Sequence, residues 1–355
     1  MSFIHRRFIA CLLILTSFFA LPSEAAEVSG DLPADLPTKF SMDLPADFPT
    51  DRPLTLDDFS DEQLSLLSEA ERTALEQGVY YVRNMIPSIK GEWLPEFPKY
   101  FKPFLADPRN LSFSFGLRFH DDVLGKTMST ASFGNEFPIL KWNDVWTEGS
   151  ELQLGIGAGA WSVFDLNPSD DGDIVELINT DYYIGMPFTY TLGNIAYRFR
   201  LYHVSTHIGD EYIIANPTFE RLNPSHEAAD FFASWHPDDS LRLYGGLGRF
   251  LSTDSSFRQH PFYIEYGAEW RMFGRKLPYF KLLEQPFFAF HVRHMEDLHW
   301  QYDGTFRLGS EWSPIKRPNS YKMRVYLEYH DGFSVEGQFS KQKSKYMGLG
   351  ISFGY

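Results

Sequence analysis

The feature of the sequence that most restricts its fold is a strict alternation of residue type, which recurs through most of the chain after residue 110. In residues 194–207, apolar and aromatic side chains occupy every second position, namely Ile195, Tyr197, Phe199 and Leu201. The positions between them carry polar side chains, namely Arg198, Arg200 and Tyr202. Residues two apart share a face in a β-strand but not in a helix. One face is too charged for a packed core and the other too apolar for water, so we predict a strand with a lipid side and a wet side.

Similar alternating segments follow one another to the end of the sequence, and about twelve can be distinguished. An even number of antiparallel strands lets a bacterial barrel close without an exposed edge. A soluble β-sandwich is the alternative, but it would need the charged face outside and fewer aromatic residues opposite. We predict an all-β fold, an antiparallel transmembrane β-barrel of about twelve strands over residues 111–355, with salt-bridged charges in its lumen.

The chain before the predicted barrel divides into three parts. Residues 1–25 have a basic start, a short apolar run and small residues at the end, which is typical of a secretory signal peptide. The only cysteine, Cys11, lies in this segment, so we expect no disulfide or thiolate chemistry in the mature protein. Residues 26–55 repeat a proline-rich motif and are predicted to form an extended linker. Residues 56–110 are predicted to form a helical and irregular periplasmic segment.

Within residues 56–110, two serines have the spacing of a capping box, Ser60 with Gln63 and Ser68 with Glu71. The pattern predicts either two short helices or one helix broken at Ser68. Several prolines among aromatic residues follow, and they predict an irregular approach to the first strand.

The composition restricts the partners. The formal net charge of −15 argues against nucleic acid, because a protein that binds it must neutralise phosphates with Lys and Arg. The chain has 33 Phe, 19 Tyr and 8 Trp but a mean hydropathy of only −0.29, as expected when strands rather than helices cross a bilayer. The C-terminal strand ends on Tyr355 with apolar residues at alternate positions before it, and it resembles the assembly signal of outer-membrane barrels. We therefore expect the outer membrane of a diderm bacterium, with membrane lipid and the barrel assembly machinery as partners.

The apolar face of residues 194–207 changes character at its end. Its last positions are His203, Ser205 and His207, so a base and a hydroxyl share one face, two residues apart. This arrangement favours ester hydrolysis, in which His203 takes the proton of Ser205 as the hydroxyl attacks an acyl carbonyl. The alternative is that these residues are interfacial polar side chains where the strand leaves the bilayer.

A third group would have to orient the imidazole of His203. The candidates are Glu227, predicted on the same face of the neighbouring strand, and then Asn216 and Glu211 from the loop between the two strands. An oxyanion hole would need main-chain amides or a bound cation, and Asp210 with Glu211 could hold calcium.

The segment Arg200-Leu-Tyr-His203-Val-Ser205 resembles the His-x-Ser strand of outer membrane phospholipase A, and also that of lipid A deacylase. The resemblance implies a barrel whose catalytic pair faces lipid at the outer leaflet. The phospholipase differs in the two residues after its serine, where this chain has Thr206-His207. Residues 203–211 and the overall layout also resemble a family of uncharacterised bacterial proteins, known only as a domain of unknown function, which implies no activity.

Two functions therefore remain open from the sequence alone. One is a non-enzymatic channel or structural barrel, which the sequence favours by a small margin. The other is an outer-leaflet lipid esterase, similar to phospholipase A or lipid A deacylase, with His203 and Ser205 as its catalytic pair.

Overall fold

The structure is a computed structural model, and it describes residues 55–76, 91–95, 100–167, 175–316 and 320–355. The predicted signal peptide and all but the last residue of the predicted linker lie outside these ranges. The chain divides into two compact units, Met1–Pro87 and Ser88–Tyr355.

The first unit contains two short helices, α1 (Asp61–Leu66) and α2 (Glu69–Glu76), after a 3-10 turn at Leu56–Asp58. Ser60 caps α1: its side chain accepts a hydrogen bond from the amide of Gln63, and the side chain of Gln63 accepts one from the amide of Ser60 at 2.9 Å. This confirms the capping box and the two-helix alternative. In the part of the chain that the structure describes, every helix is too short or too polar to cross a bilayer.

The second unit is a β-barrel. Within the described residues it has twelve long strands, numbered here β1 to β12: Phe113–Asp121, Gly125–Asn143, Ser150–Asp165, Glu176–Leu192, Ile195–Ile208, His226–Trp235, Leu241–Thr253, Phe262–Arg271, Leu282–Met295, Asp303–Pro314, Lys322–Phe333 and Lys343–Gly354. Two short strands, Glu92–Trp93 and Arg275–Leu277, pair with β2 and β9. Helix α3 (Asp210–Ala215) follows β5. Two further 3-10 turns lie at Glu296–Leu298 and Gly337–Phe339.

The barrel is closed. Each strand pairs antiparallel with the next one along the chain, and β12 pairs with β1, from Phe353 opposite Phe113 to Met347 opposite Phe119. Closure leaves no strand edge with unpaired main-chain groups, which is the condition for a sheet to survive in lipid. The predicted all-β class and antiparallel barrel are confirmed.

The two faces of the strands differ as the alternation predicts. Large apolar side chains are exposed at outward positions, among them Phe115, Phe133, Ile156, Phe231, Leu247, Ile264, Leu308, Leu327 and Leu349. Charged side chains point inward and form ion pairs, including Arg200 with Asp230, Arg242 with Glu269, Arg293 with Asp303 and Arg307 with Glu328. Pairing offsets the desolvation of each buried charge. The barrel thus has the apolar exterior and polar interior of outer-membrane proteins.

The lumen contains the segment that precedes β1, residues 100–111, which we call the plug. Its apolar side chains Phe101, Phe104, Leu105 and Ala106 are at most 3% exposed. They pack against inward residues of the wall in two clusters, which include Ala196, Phe232 and Tyr244 on one side and Phe287, Ala289 and Tyr326 on the other. The ring of Phe104 is stacked on Tyr244, with centroids 3.9 Å apart. The sequence predicts an irregular segment here but not its place inside the barrel.

Charged wall residues bind the main chain of the plug. Arg242 donates to the carbonyl oxygen of Lys102 at 2.8 Å, and Arg307 donates to that of Leu105 at 2.6 Å. The amide of Leu105 donates to Glu269 at 3.0 Å. The plug is not part of the β-ladder, so its main-chain groups need such partners when they are buried.

We call the end of the barrel where β1 begins the near end, and the end where β1 finishes the far end. The link between β11 and β12, residues 334–342, covers the far end with the buried residues Val335, Glu336, Gln338 and Phe339. Arg118 donates to Glu336 at 2.8 Å. Arg109 of the plug donates to the carbonyl oxygen of Val335, so plug and link are joined inside the lumen.

Candidate active site on the outward face of the barrel

His203 and Ser205 lie on β5 close to the far end, since the strand finishes at Ile208. Their neighbours Arg198 and Thr206 point inward and are buried, so the odd-numbered residues of β5 point outward. The pairing of β5 with β6 places Glu227 directly opposite His203, on the same face.

His203 and Glu227 are joined by a hydrogen bond of 3.0 Å between Nδ1 and Oε1. Both side chains are partly exposed, His203 by 32% and Glu227 by 21%. Because a carboxylate oxygen can only accept, Nδ1 carries the proton in this contact, and in the neutral ring Nε2 is then free to accept one. This is the tautomer that a general base acting through Nε2 requires.

Ser205 lies opposite Tyr182 of β4. Among the residues that the structure describes, the hydroxyl of Ser205 has no hydrogen-bond partner. Outward residues two apart on a strand are separated by roughly 6.6 Å along the chain, so rotation of the Ser205 side chain can turn its hydroxyl towards His203. Nucleophile and base are often further apart without substrate than during the reaction.

The surroundings of the pair are apolar and aromatic. Tyr182 and Ile184 of β4 are 50% and 46% exposed beside Ser205 and His203. His207 packs edge-on against Tyr182, with centroids 5.5 Å apart. His203, Ser205 and Glu227 therefore form a small polar group within the apolar outer surface of the barrel.

The other sequence candidates lie elsewhere. The side chain of Asn216 donates to the carbonyl oxygen of Tyr212 at 3.0 Å, beyond the end of α3. Glu211 and Asp210 are exposed in the first turn of α3. The structure brings only Glu227 of the three proposed orienting groups to His203.

Asp210 and Glu211 do not fit a calcium site by themselves. Calcium takes six to eight oxygen ligands, several of them carboxylates. In the described ranges, no three His, Cys, Asp or Glu side chains come together in a group that could hold a metal ion.

A family model matches residues 67–355. The chain belongs to this family, described as "Protein of unknown function (DUF1207)". Membership confirms the resemblance to a family of uncharacterised proteins, and the family description assigns no activity. No curated protein matches the chain.

Solved outer-membrane barrels are similar to this family member in fold. The outer membrane phospholipase (OMPLA) dimer of Salmonella typhi, crystallised with bound calcium, aligns with a TM-score of 0.46 at 11% identity, covering 74% of this chain and 95% of that one. LpxR from Salmonella typhimurium aligns with a TM-score of 0.34 at 13% identity, covering 69% and 100%. The β domain of the Bordetella autotransporter BrkA gives 0.35 at 12%, covering 69% and 99%.

Proposed function

We propose that this protein is an esterase of membrane lipids in the bacterial outer membrane, with Ser205 as nucleophile, His203 as general base and Glu227 as the orienting group. The observation that carries the proposal is the 3.0 Å hydrogen bond between His203 and Glu227 on the outward face, two residues from the serine.

The location of these side chains supports a catalytic role. A polar side chain that faces lipid loses its hydrogen bonds to water, which costs free energy unless a protein partner replaces them. Such side chains are therefore rare in membrane proteins and usually functional. The hydrogen bond to Glu227 uses only Nδ1 of His203 and fixes the orientation of the imidazole. Nε2 stays available for a proton from Ser205. With the N-terminal segment in the periplasm, the far end lies at the outer leaflet, where acyl ester bonds are within reach of β5.

The reaction follows from the roles of the three residues. Ser205 Oγ attacks the acyl carbonyl carbon while His203 Nε2 takes the hydroxyl proton, and Glu227 stabilises the imidazolium that forms. The ester C–O bond breaks as His203 returns the proton to the departing alcohol of the lipid. Water then attacks the acyl-serine while His203 takes its proton, the bond between the acyl carbon and Ser205 Oγ breaks, and His203 returns the proton to Ser205 as the fatty acid leaves.

The interior of the barrel favours this function over a channel. A conducting pore needs an open lumen, but the plug occupies the lumen and the link 334–342 covers its far end. The sequence alone favours a channel or structural barrel by a small margin, and it does not reveal the plug.

The experiment that tests the proposal is fatty-acid release by the purified full-length protein in detergent micelles. We expect release from ester-linked phospholipid or lipid A and none from ether-linked phospholipid. Ser205→Ala should abolish it, whereas Ser310→Ala, at an outward position of β10, should leave it unchanged.

Both variants must show the same heat-dependent gel mobility as the original protein, because that mobility reports a folded barrel. Release that persists in folded Ser205→Ala, or no release from any ester lipid, would overturn the esterase.

A further inference from the structure

The near end of the lumen contains a cavity of about 790 Å³. It lies between the start of the plug and the wall. Its polar lining includes Lys102, Arg271, Lys322, His236 and Gln285. It is separate from the outward face that carries His203 and Ser205.

The first carboxylate beside this cavity, Glu269, has two cationic partners. It accepts from Arg242 at 3.0 Å and from Arg271 at 3.3 Å. Two guanidinium groups thus share one carboxylate, which leaves one positive charge in excess. Because Glu269 and Arg242 are at most 1% exposed, water screens this charge poorly.

The second carboxylate, Glu311, has three cationic partners. It accepts from Arg271 at 2.9 Å and from Arg324 at 3.0 Å, and it also pairs with Lys322. Arg271 is shared between the two carboxylates. Four cations therefore surround two carboxylates in the buried network.

Lys102 of the plug adds a fifth cation. Its main-chain carbonyl binds Arg242, but its ammonium group has no partner among the described residues. Burial lowers the pKa of Lys102 to about 8, and the charges of Arg271 and Lys322 act in the same direction. The five side chains face two carboxylates, which leaves a formal excess of three positive charges.

The other carboxylates along the cavity are already engaged or exposed. Glu151 pairs with Lys141 at 2.8 Å. Asp238 accepts from the amide of Ser240 at 2.7 Å and lies at an exposed turn with Asp239. Glu151 thus already has a cationic partner, and water and salt screen the charges of the two exposed aspartates.

His236 adds a neutral donor or acceptor. Burial lowers its pKa to about 4, as do the charges of Arg242 and Lys102, so the ring is uncharged at neutral pH. The lining of the cavity thus combines three cationic side chains, polar neutral ones and the carboxylates of Glu151, Asp238 and Asp239.

We propose that this near-end cavity binds a phosphate-bearing molecule, whose phosphate oxygens take the donors of Lys102, Arg271 and Lys322. Arg and Lys are the preferred donors to phosphate, and a dianion matches the charge excess of the network better than a monoanion. The cavity is much larger than phosphate itself, so there is space for the rest of a headgroup or small phosphoester.

The test measures binding of inorganic phosphate to the full-length protein in neutral detergent, by calorimetry at constant ionic strength. We expect one saturable site, with chloride unable to compete at equal concentration. Lys102→Gln should weaken binding about tenfold, since it removes one charged donor. Lys276→Gln, which changes an exposed lysine at the same end of the barrel, is the matched control.

A pH arm tests the same site in the unaltered protein. Lys102 is charged well below its pKa of about 8 and neutral well above it, so phosphate should bind more weakly at about pH 9.5 than at about pH 7.5. At both pH values phosphate itself is mainly a dianion. A loss of affinity between them therefore reflects deprotonation of the protein and not of the ligand.

Two further arms distinguish the source of the phosphate. If short-chain phosphatidic acid displaces phosphate and binds more tightly, the ligand is a lipid headgroup. If a water-soluble phosphomonoester does so instead, the ligand is a free metabolite. Absence of saturable phosphate binding, or equal affinity in folded Lys102→Gln and the unaltered protein, overturns the proposal. Ser205→Ala should bind phosphate normally, so this test is independent of the esterase.

Discussion

His203 on β5 and Glu227 on β6 face each other directly across two neighbouring strands, with their side chains 3.0 Å apart. Cross-strand neighbours of this kind are fixed by the register of the sheet. A slip of one residue would turn one of the two side chains into the lumen. The geometry of the candidate site is therefore a property of the barrel wall and does not depend on a flexible loop.

The first prediction concerns the catalytic unit. His203→Ala should lower fatty-acid release about a thousandfold or more, and adding Ser205→Ala should lower it little further, because nucleophile and base act together. Glu227→Ala should cost less than either, and Glu227→Gln less again, because an amide oxygen can still accept from Nδ1. The measurement is the rate of fatty-acid release by each folded variant.

A matched histidine serves as the control. His294 also lies outward, on β9, where it contacts Tyr266 at 3.3 Å. His294→Ala should keep full activity. If His294→Ala lowered the rate of fatty-acid release as much as His203→Ala, the rate would depend on any outward histidine and not on His203 in particular.

The second prediction concerns the stability that the plug contributes. Phe104→Ala should lower the free energy of unfolding by about 3–5 kcal/mol, because it removes a buried ring between Phe101, Phe232 and Tyr244 and leaves a cavity. Phe280→Ala, at an exposed position, should change it by less than about 0.5 kcal/mol. Urea unfolding in detergent micelles measures both, and equal effects would argue against the buried position of the plug.

The third prediction concerns conductance. The unaltered protein should be silent in planar bilayers at moderate voltage. Replacing residues 101–109 by a flexible Gly-Ser segment of equal length should produce discrete conductance steps, because side chains that fill the lumen are then removed. Replacing residues 31–39 in the same way is the control and should leave the protein silent. Open channels in the unaltered protein would contradict the closed lumen.

The fourth prediction concerns assembly. Deleting Phe353–Tyr355 should reduce membrane insertion far more than deleting residues 31–54. Phe353 pairs with Phe113 at the junction of β12 and β1, and an incomplete junction leaves main-chain groups unsatisfied in lipid. The measurement is the fraction of protein that shows heat-dependent gel mobility after insertion. Equal fractions for both deletions would be incompatible with this closure.

The alternation of residue type was sufficient to predict the barrel, because in a transmembrane sheet the environment changes at every residue. It also predicted the outward face of His203 and Ser205, since these continue the series that begins at Ile195. Glu227 could be named as a candidate from its face alone. Its contact with His203 depends on the register between β5 and β6, which the sequence left open.

The plug could not be predicted by the same argument. Residues 100–111 have no period, and their apolar and proline content is equally compatible with an irregular exterior segment. The sequence predicts salt-bridged charges in the lumen, but a side chain such as Arg242 can bind a carboxylate and a distant carbonyl oxygen at once. Which carbonyl it reaches depends on long-range packing.

The course of the plug has a mechanical consequence. The chain passes Lys102 at the near end, reaches Val335 at the far end through Arg109, and returns to begin β1 at Phe113, which again lies at the near end. It thus enters and leaves by the same mouth, as a loop and not as a thread. A pull on the chain before the plug would detach the short strand Glu92–Trp93 from β2 and then the contacts of the plug, beginning with the carbonyl of Lys102. Withdrawal of the plug therefore separates its apolar clusters and its arginine contacts, and it breaks no pairing of the ladder that closes the barrel.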